Sequence, residues 1–224
     1  VVRLLAERKA SLNVRQYRGW TPLHFASDQG HADVVRELVQ AKAALHAQTR
    51  QSGNTPLHIA SDKGHVEVAR VLVEVKASLD MPANRGHTPL HLASGRGHAE
   101  VVRLLAEGKA SINVQQDCGY TPLHLASGKG HVDVARLLVE GKACPDAETE
   151  HNSTPLHLAS AMGHAGVVRL LAGHMASLDV QQNDDHTALH LASEAGHVQV
   201  VDELVQGKAS LDARQSQGYT ALHL

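Results

Sequence analysis

Histidine is the residue type in this sequence best placed to do chemistry, with 18 copies in 224 residues. Imidazole can ligate a metal, shuttle a proton or activate a neighbouring hydroxyl. A serine also stands four residues before several of them, as Ser127 does before His131. Placement argues against all three chemistries. His24, His58, His91, His124, His157, His190 and His223 each close a Thr-Pro-Leu-His or Thr-Ala-Leu-His string, while His31, His65, His98, His131, His164 and His197 each follow a glycine. These recur in phase, and no cysteine or carboxylate recurs beside them to complete a metal-ligand set. His46, His87, His151, His174 and His186 fall outside that pattern and share no position that would build one site. The serines from Ser27 to Ser193 recur in the same way. Each copy of a nucleophile would need its own base and oxyanion pocket. Carboxylates form no repeated or isolated pair suited to acid–base work, and no glycine-rich phosphate loop is present. The expectation is a chain without catalytic residues, metal ligands or cofactor, and not an enzyme. Its phase-locked histidines should tie loops by hydrogen bonds, and its serines should let helices approach closely.

The elements that hold these residues follow from the repeat. The string begins at Thr21, Thr55, Thr88, Thr121, Thr154, Thr187 and Thr220, a first step of 34 residues and later steps of 33, with the extra residue inside Gln48–Gly53. Threonine can cap a helix, and proline suits the first helical turn, where no donor is missed. Leu123, Leu125 and Ala126 give a narrow apolar face before Gly130 ends that helix. A second helix is predicted over Val132–Glu140, where Val134, Leu137 and Leu138 follow helical spacing. Lys142, Ala143 and a polar stretch then lead to the next threonine, long enough only for a hairpin-like turn. One such helix pair cannot bury its apolar face alone, so the units must stack.

Composition agrees with thin stacked layers. Apolar residues are 42% but aromatics only 2%, namely Tyr17, Trp20, Phe25, Tyr120 and Tyr219. The net charge of −2 offers nucleic acid no general attraction. No apolar run reaches membrane-spanning length, since Val1–Ala6 is broken by Arg3 and closed by Glu7. Nothing reads as a secretion signal. Cys118 and Cys144 form no disulfide framework, which points to an intracellular, cytoplasmic setting.

The segment Gly119-Tyr-Thr-Pro-Leu-His-Leu-Ala126, followed by Gly130-His131, strongly resembles the ankyrin repeat over the whole chain. The resemblance implies an all-α, ankyrin-type helix-turn-helix solenoid, elongated and curved, with projecting hairpin-like turns. One array is expected, with full repeats at 14–46, 47–80, 81–113, 114–146, 147–179 and 180–212 and partial ones at 1–13 and 213–224. Neither end carries a polar cap, so a piece of a longer array is expected. Two departures from the family pattern stand out. The glycine that usually caps the second helix is replaced by Lys9, Lys42, Lys76, Lys109, Lys142 and Lys208, or by Met175. Gly108, Gly141 and Gly207 stand one place earlier, which suggests a cap shifted in register. The turn's usual aspartate is mostly glutamine (Gln16, Gln116, Gln182, Gln215), leaving the customary turn hydrogen bond without its acceptor.

The resemblance further implies a protein-interaction scaffold that grips a protein partner on a concave face of turn tips and first helices. Carried over by alignment, the candidate partner-binding residues are Tyr17, Arg18, Trp20, Asp28, Arg50, Asn54, Lys63, Arg85, His87, Arg96, Tyr120, Lys129, Glu150 and His186. Trp20 with Tyr17 is the favoured aromatic pair, and Phe25 is expected to replace a core aliphatic. Charge along this face passes from mainly basic (Arg18, Arg50, Lys63, Arg85, Arg96, Lys129) to acidic (Glu150, Asp184, Glu194). The lysine row favours helix C-termini electrostatically. The alternative is a substrate-targeting or regulatory arm of a multidomain enzyme, such as a kinase, whose catalytic domain lies outside this segment. A nucleic-acid binder using the lysine row is a further rival, distinguished by a steep salt dependence. A monomer with no small-molecule substrate and no membrane insertion completes the expectation.

Overall fold

The computed structural model describes residues 2–8 and 10–224, the side chains of Val2 and Ala6 excepted; Lys9 of the lysine row lies outside them. The chain divides into two compact units, Val1–Ser111 and Ile112–Leu224. The first unit contains α1 (Val2–Glu7), α2 (Pro22–Asp28), α3 (Ala32–Gln40), α4 (Pro56–Lys63), α5 (Val66–Glu74), α6 (Pro89–Arg96) and α7 (Ala99–Glu107). The second contains α8 (Pro122–Gly128), α9 (Val132–Glu140), α10 (Pro155–Ala161), α11 (Ala165–Gly173), α12 (Ala188–Glu194) and α13 (Val198–Gln206). Short 3₁₀ turns cover Asn84–Gly86, Asn183–Asp185 and Ala221–His223, and no strand occurs among the described residues. Within each unit the first helices of successive repeats stack in one row (α2, α4, α6 and α8, α10, α12). The second helices (α1, α3, α5, α7 and α9, α11, α13) stack in another.

Each first helix starts where the sequence places it. Thr121 lies in the extended region and its hydroxyl accepts from the backbone N–H of His124. His124 reaches back so that its Nδ1 lies 3.1 Å from the Thr121 backbone nitrogen. This is a capping box in which histidine takes the place of the usual glutamate, satisfying two otherwise orphaned donors. The apolar layers follow at one leucine per helix. Leu23, Leu57 and Leu90 in the first unit, and Leu123, Leu156 and Leu189 in the second, are at most 3% exposed. Each such leucine contributes roughly 1.5–3 kcal/mol by leaving water.

The second helices end differently from the expectation. Gly108, Gly141 and Gly207 keep right-handed φ values of −69°, −77° and −70°. The left-handed residues are the lysines themselves, with φ of 67° at Lys42, 61° at Lys76, 70° at Lys109 and Lys142, and 68° at Lys208. The cap has not shifted. Its register is set by a pair of backbone bonds, Lys142 N–H to Val139 O at 2.9 Å and Ala143 N–H to Leu138 O at 2.8 Å. The buried Ala143 behind them must seat at that position. A left-handed lysine costs roughly 1 kcal/mol, and its charge at a helix C-terminus returns about 0.3–1 kcal/mol.

Ser27, Ser61, Ser94, Ser127 and Ser160 are fully buried, and their hydroxyls meet no hydrogen-bond partner among the described residues. A small side chain is what the helix spacing requires here, and its oxygen is a cost. Ser127→Ala is therefore expected to leave stability unchanged or raise it by up to about 1 kcal/mol. A larger loss in urea denaturation would assign that hydroxyl a bonding role.

Candidate functional site

The phase-locked histidines tie each repeat to the next within a unit. Nδ1 of His58 receives the Thr55 hydroxyl at 2.8 Å and the Thr55 backbone N–H at 3.2 Å. Nδ1 is thus an acceptor, the proton sits on Nε2, and Nε2 donates to the His87 carbonyl at 3.0 Å. The same arrangement joins His24 to Asn54, His124 to Ser153, His157 to His186 and His190 to Tyr219. Burial disfavours the charged imidazolium and holds His58 and His124 down at about 4, with His24 and His157 lowered as well, while accepted carbonyl bonds act in the opposite sense. The glycine-following histidines tie in the reverse direction. Nε2 of His65 donates to the Asp28 carbonyl at 2.9 Å, and that of His98 to the Asp62 carbonyl at 3.0 Å. In the capping histidines both ring nitrogens are thus spent on structural ties.

A further tie was legible only by its phase. Asn13, Asp80, Asn113, Asp146 and Asp179 each stand eight residues before a threonine of the string. Their side chains accept the backbone N–H of Ala44, Ser111, Cys144, Ser177 and Ser210 at 2.7–2.9 Å. His46 occupies the same place in its repeat and accepts from Ser78 N–H through Nε2 at 2.9 Å. One histidine outside the two main phases therefore belongs to a third.

Most of the projecting turns retain a side-chain hydrogen bond despite the missing aspartates. Gln16 Oε1 accepts from Arg18 N–H at 2.7 Å, Gln116 Oε1 from Cys118 N–H at 3.2 Å, and Gln215 Oε1 from Gln217 N–H. Thr49 and Thr149 serve in two of the three turns that lack glutamine, the third having Ala83 in that place. Gln182 departs from the rest, with its Oε1 accepting the Ser153 hydroxyl at 2.5 Å. Successive turns are also joined through backbone, Arg50 N–H to Arg18 O and Asn84 N–H to Ser52 O, both at 2.9 Å. In the second unit Glu150 donates to Cys118 O, Asn183 to His151 O and Ser216 to Asp184 O.

In the first unit these joints bring Tyr17, Arg18, Arg50 and Arg85 onto a row of exposed turn tips. Tyr17 is 74% exposed, with the Arg18 guanidinium 5.3 Å from its ring centre. Trp20 does not stack on Tyr17. Its ring lies 5.0 Å from Phe25 and 6.0 Å from His24. Phe25 is 48% exposed, not a core residue: α2 has a first helix on one side only, and at this position Ile59, between α2 and α6, is 5% exposed while Leu158, between α8 and α12, is half-buried. Asn54 and His87 lend their carbonyls to the histidine ties, and His87 also sets its ring edge-on to His91. Asp28 and Asp62 do not stand free among the basic residues: Lys63 lies 3.9 Å from Asp28, and Arg96 2.8 Å from Asp62.

In the second unit Tyr120 packs edge-on against His124, and His186 against His190. Lys129 follows α8 directly, and Glu150 sits exposed at a turn tip. Wherever the residue before the threonine carries a ring, that ring packs on the capping histidine of its own repeat.

Helix pairs of this length, joined by capped threonine strings and zipped turns, can be matched with known proteins. Models of ankyrin repeats match residues 18–50, 41–116, 108–183 and 174–224. The chain belongs to the ankyrin repeat family. Ankyrin repeat domain-containing protein 49 of Bos taurus is 51% identical over 49 residues, covering 22% of this chain and 21% of that protein. Its Homo sapiens counterpart is 45% identical over 49 residues, 22% of this chain and 20% of the relative. The matched stretch spans about a fifth of those relatives' length. The crystal structure of the human ASB11 ankyrin repeat domain superposes with a TM-score of 0.82 at 31% identity, over 91% of this chain and 90% of that one. Ankyrin repeats are protein-interaction modules, and no helix among the described residues is long and apolar enough to cross a membrane.

Proposed function

We infer that this ankyrin chain binds a protein partner through the face formed by its turn tips and first helices, within each unit. One observation carries this reading. The residues that recur are spent on holding the stack together, whereas those that differ from repeat to repeat (Tyr17, Arg18, Arg50, Arg85, Lys129, Glu150) project outward from it. A surface that varies over a fixed frame is suited to selecting one partner. Recognition needs no chemistry from the chain, which accords with a binding role and not a catalytic one. Exposed free thiols at Cys118 and Cys144 fit a reducing, intracellular setting.

Hydrogen exchange with and without a purified partner from a display selection tests the reading. Added protection is expected at the turns and first helices, such as 47–54 and Pro56–Lys63. Protection confined to the outer surface of the second helices, around Asp33, Arg36 and Arg70, would overturn it.

A further inference from the structure

Apart from Arg8, which follows α1, the arginines of the first unit fall into two groups. Arg3, Arg36, Arg70, Arg96 and Arg103, all on helices, each approach a carboxylate, at 3.2, 2.8, 3.4, 2.8 and 3.5 Å. Arg15, Arg18, Arg50 and Arg85, all in turns, form no ion pair among the described residues. Arg15 and Arg50 use one guanidinium nitrogen each on the backbone carbonyls of Gln48 and Tyr17. Both contacts leave the positive charge unneutralised. The three turns concerned, 14–20, 47–54 and 81–87, contain no aspartate or glutamate at all. The turns of the second unit are the reverse, carrying Asp117, Glu148, Glu150, Asp184 and Asp185 against Arg214 alone. Cations concentrated on one row, in a chain of net charge −2, mark a surface built for an anionic segment and not for a bulk polyanion.

The row also has a repeat distance. A hairpin-like turn is two extended segments wide, and neighbouring segments lie about 4.8 Å apart, so successive tips are roughly 10 Å apart. The bonds from Arg50 N–H to Arg18 O and from Asn84 N–H to Ser52 O join successive tips, Arg50 taking the place in its turn that Asn84 takes in the next. A polyproline-II segment advances about 3.1 Å per residue with three residues per turn, so its every third side chain returns to the same face near the next tip. We propose that the turn row of the first unit binds a polyproline-II segment of a protein partner with an acidic residue at every third position, seated on Arg18, Arg50 and Arg85. The carboxylates pair with the guanidinium forks, for which bidentate geometry is available, and the exposed Tyr17 flanks the first of them. This assignment rests on the turn-and-first-helix reading above and adds the chemistry of the segment recognised.

Fluorescence anisotropy on the full chain tests it, using a labelled peptide of about nine residues with glutamate at every third place. The comparators are a peptide of the same composition with its glutamates contiguous and an oligothymidylate of similar length. The spaced peptide is expected to bind best. Exposed pairs are individually weak, so the triple variant Arg18→Ala/Arg50→Ala/Arg85→Ala should weaken it by about tenfold. Reversal to Arg18→Glu/Arg50→Glu/Arg85→Glu should instead favour a peptide with lysine at every third place, an outcome that loss of folding cannot produce. Equal binding of spaced and contiguous peptides, tighter binding of the oligothymidylate, or no effect of the triple variant would overturn the proposal. Exchange protection of the turns by the selected partner together with any of these results would retain the broader reading and remove this one.

Discussion

Lowering the pH from 7.5 to 5 is expected to reduce the denaturant midpoint of this protein substantially, while most carboxylates are still ionised. The cause is the set of buried capping histidines. His58 and His124 are held near 4 in the folded chain by burial, against about 6.5 when unfolded. A base whose folded value is depressed leaves the protein fully stable above the unfolded value. Below about 6.5 the unfolded chain takes up protons that the folded one does not, and stability falls until the folded value is reached. At about 1.4 kcal/mol per pH unit, each of the two histidines removes roughly 2 kcal/mol by pH 5. His24 and His157 shift in the same direction and add to the loss. Protonation also turns Nδ1 into a donor facing the Thr55 or Thr121 backbone N–H, so the cap itself is lost. Urea titrations at the two pH values check this, with His58→Gln/His124→Gln expected to show the weaker pH dependence. Equal midpoints for the unmodified protein would contradict neutral, buried rings.

The second large effect is expected at Gly64, which caps α4 at φ 72°. A Cβ added there would stand 2.6 Å from Nδ1 of His98, the ring that ties the next repeat to the Asp62 carbonyl. Gly64→Ala thus combines left-handed strain of about 1 kcal/mol with displacement of a tie worth about 0.5–1.5 kcal/mol. A loss of about 2 kcal/mol or more in chemical denaturation is the expected result. In a His98→Ala background the same substitution should cost only the strain, because its neighbour has gone. An undiminished cost in that background would place the effect in the backbone alone.

Much of this fold was legible in the sequence because it repeats. Threonine, proline and histidine at fixed offsets mark each first helix, and the second helix read at Val132–Glu140 is the one observed. The same periodicity identified the histidines as ties before any distance was known. Three features escaped it for identifiable reasons. The glycine beside each lysine suggested a moved cap, but the register is decided by the burial of the alanine that follows, a tertiary constraint. Gln16 and Gln116 looked like lost turn acceptors, yet one extra methylene still lets the amide oxygen reach the N–H two residues on. Phe25 occupies a position that is apolar in every repeat, and its exposure depends on what packs beside α2, which no single repeat encodes. The candidate binding residues were legible only as places. Which of them are spent internally, as Asp28 is on Lys63 and Trp20 on Phe25, and which form no ion pair among the described residues, as Arg18 and Arg85, required the packing.

The central claim is that recurring residues build the stack and varying residues bind. Affinity for a purified partner and melting temperature, measured on one panel of variants, test it most directly. Tyr17→Ala, Arg18→Ala, Arg50→Ala and Arg85→Ala should lower affinity with the melting temperature unchanged, while Thr55→Ala and Gly64→Ala should lower the melting temperature first. If the turn variants bind as tightly as the unmodified chain, and partner affinity is lost instead on substituting Arg36 and Arg70 of the second helices, the account is contradicted.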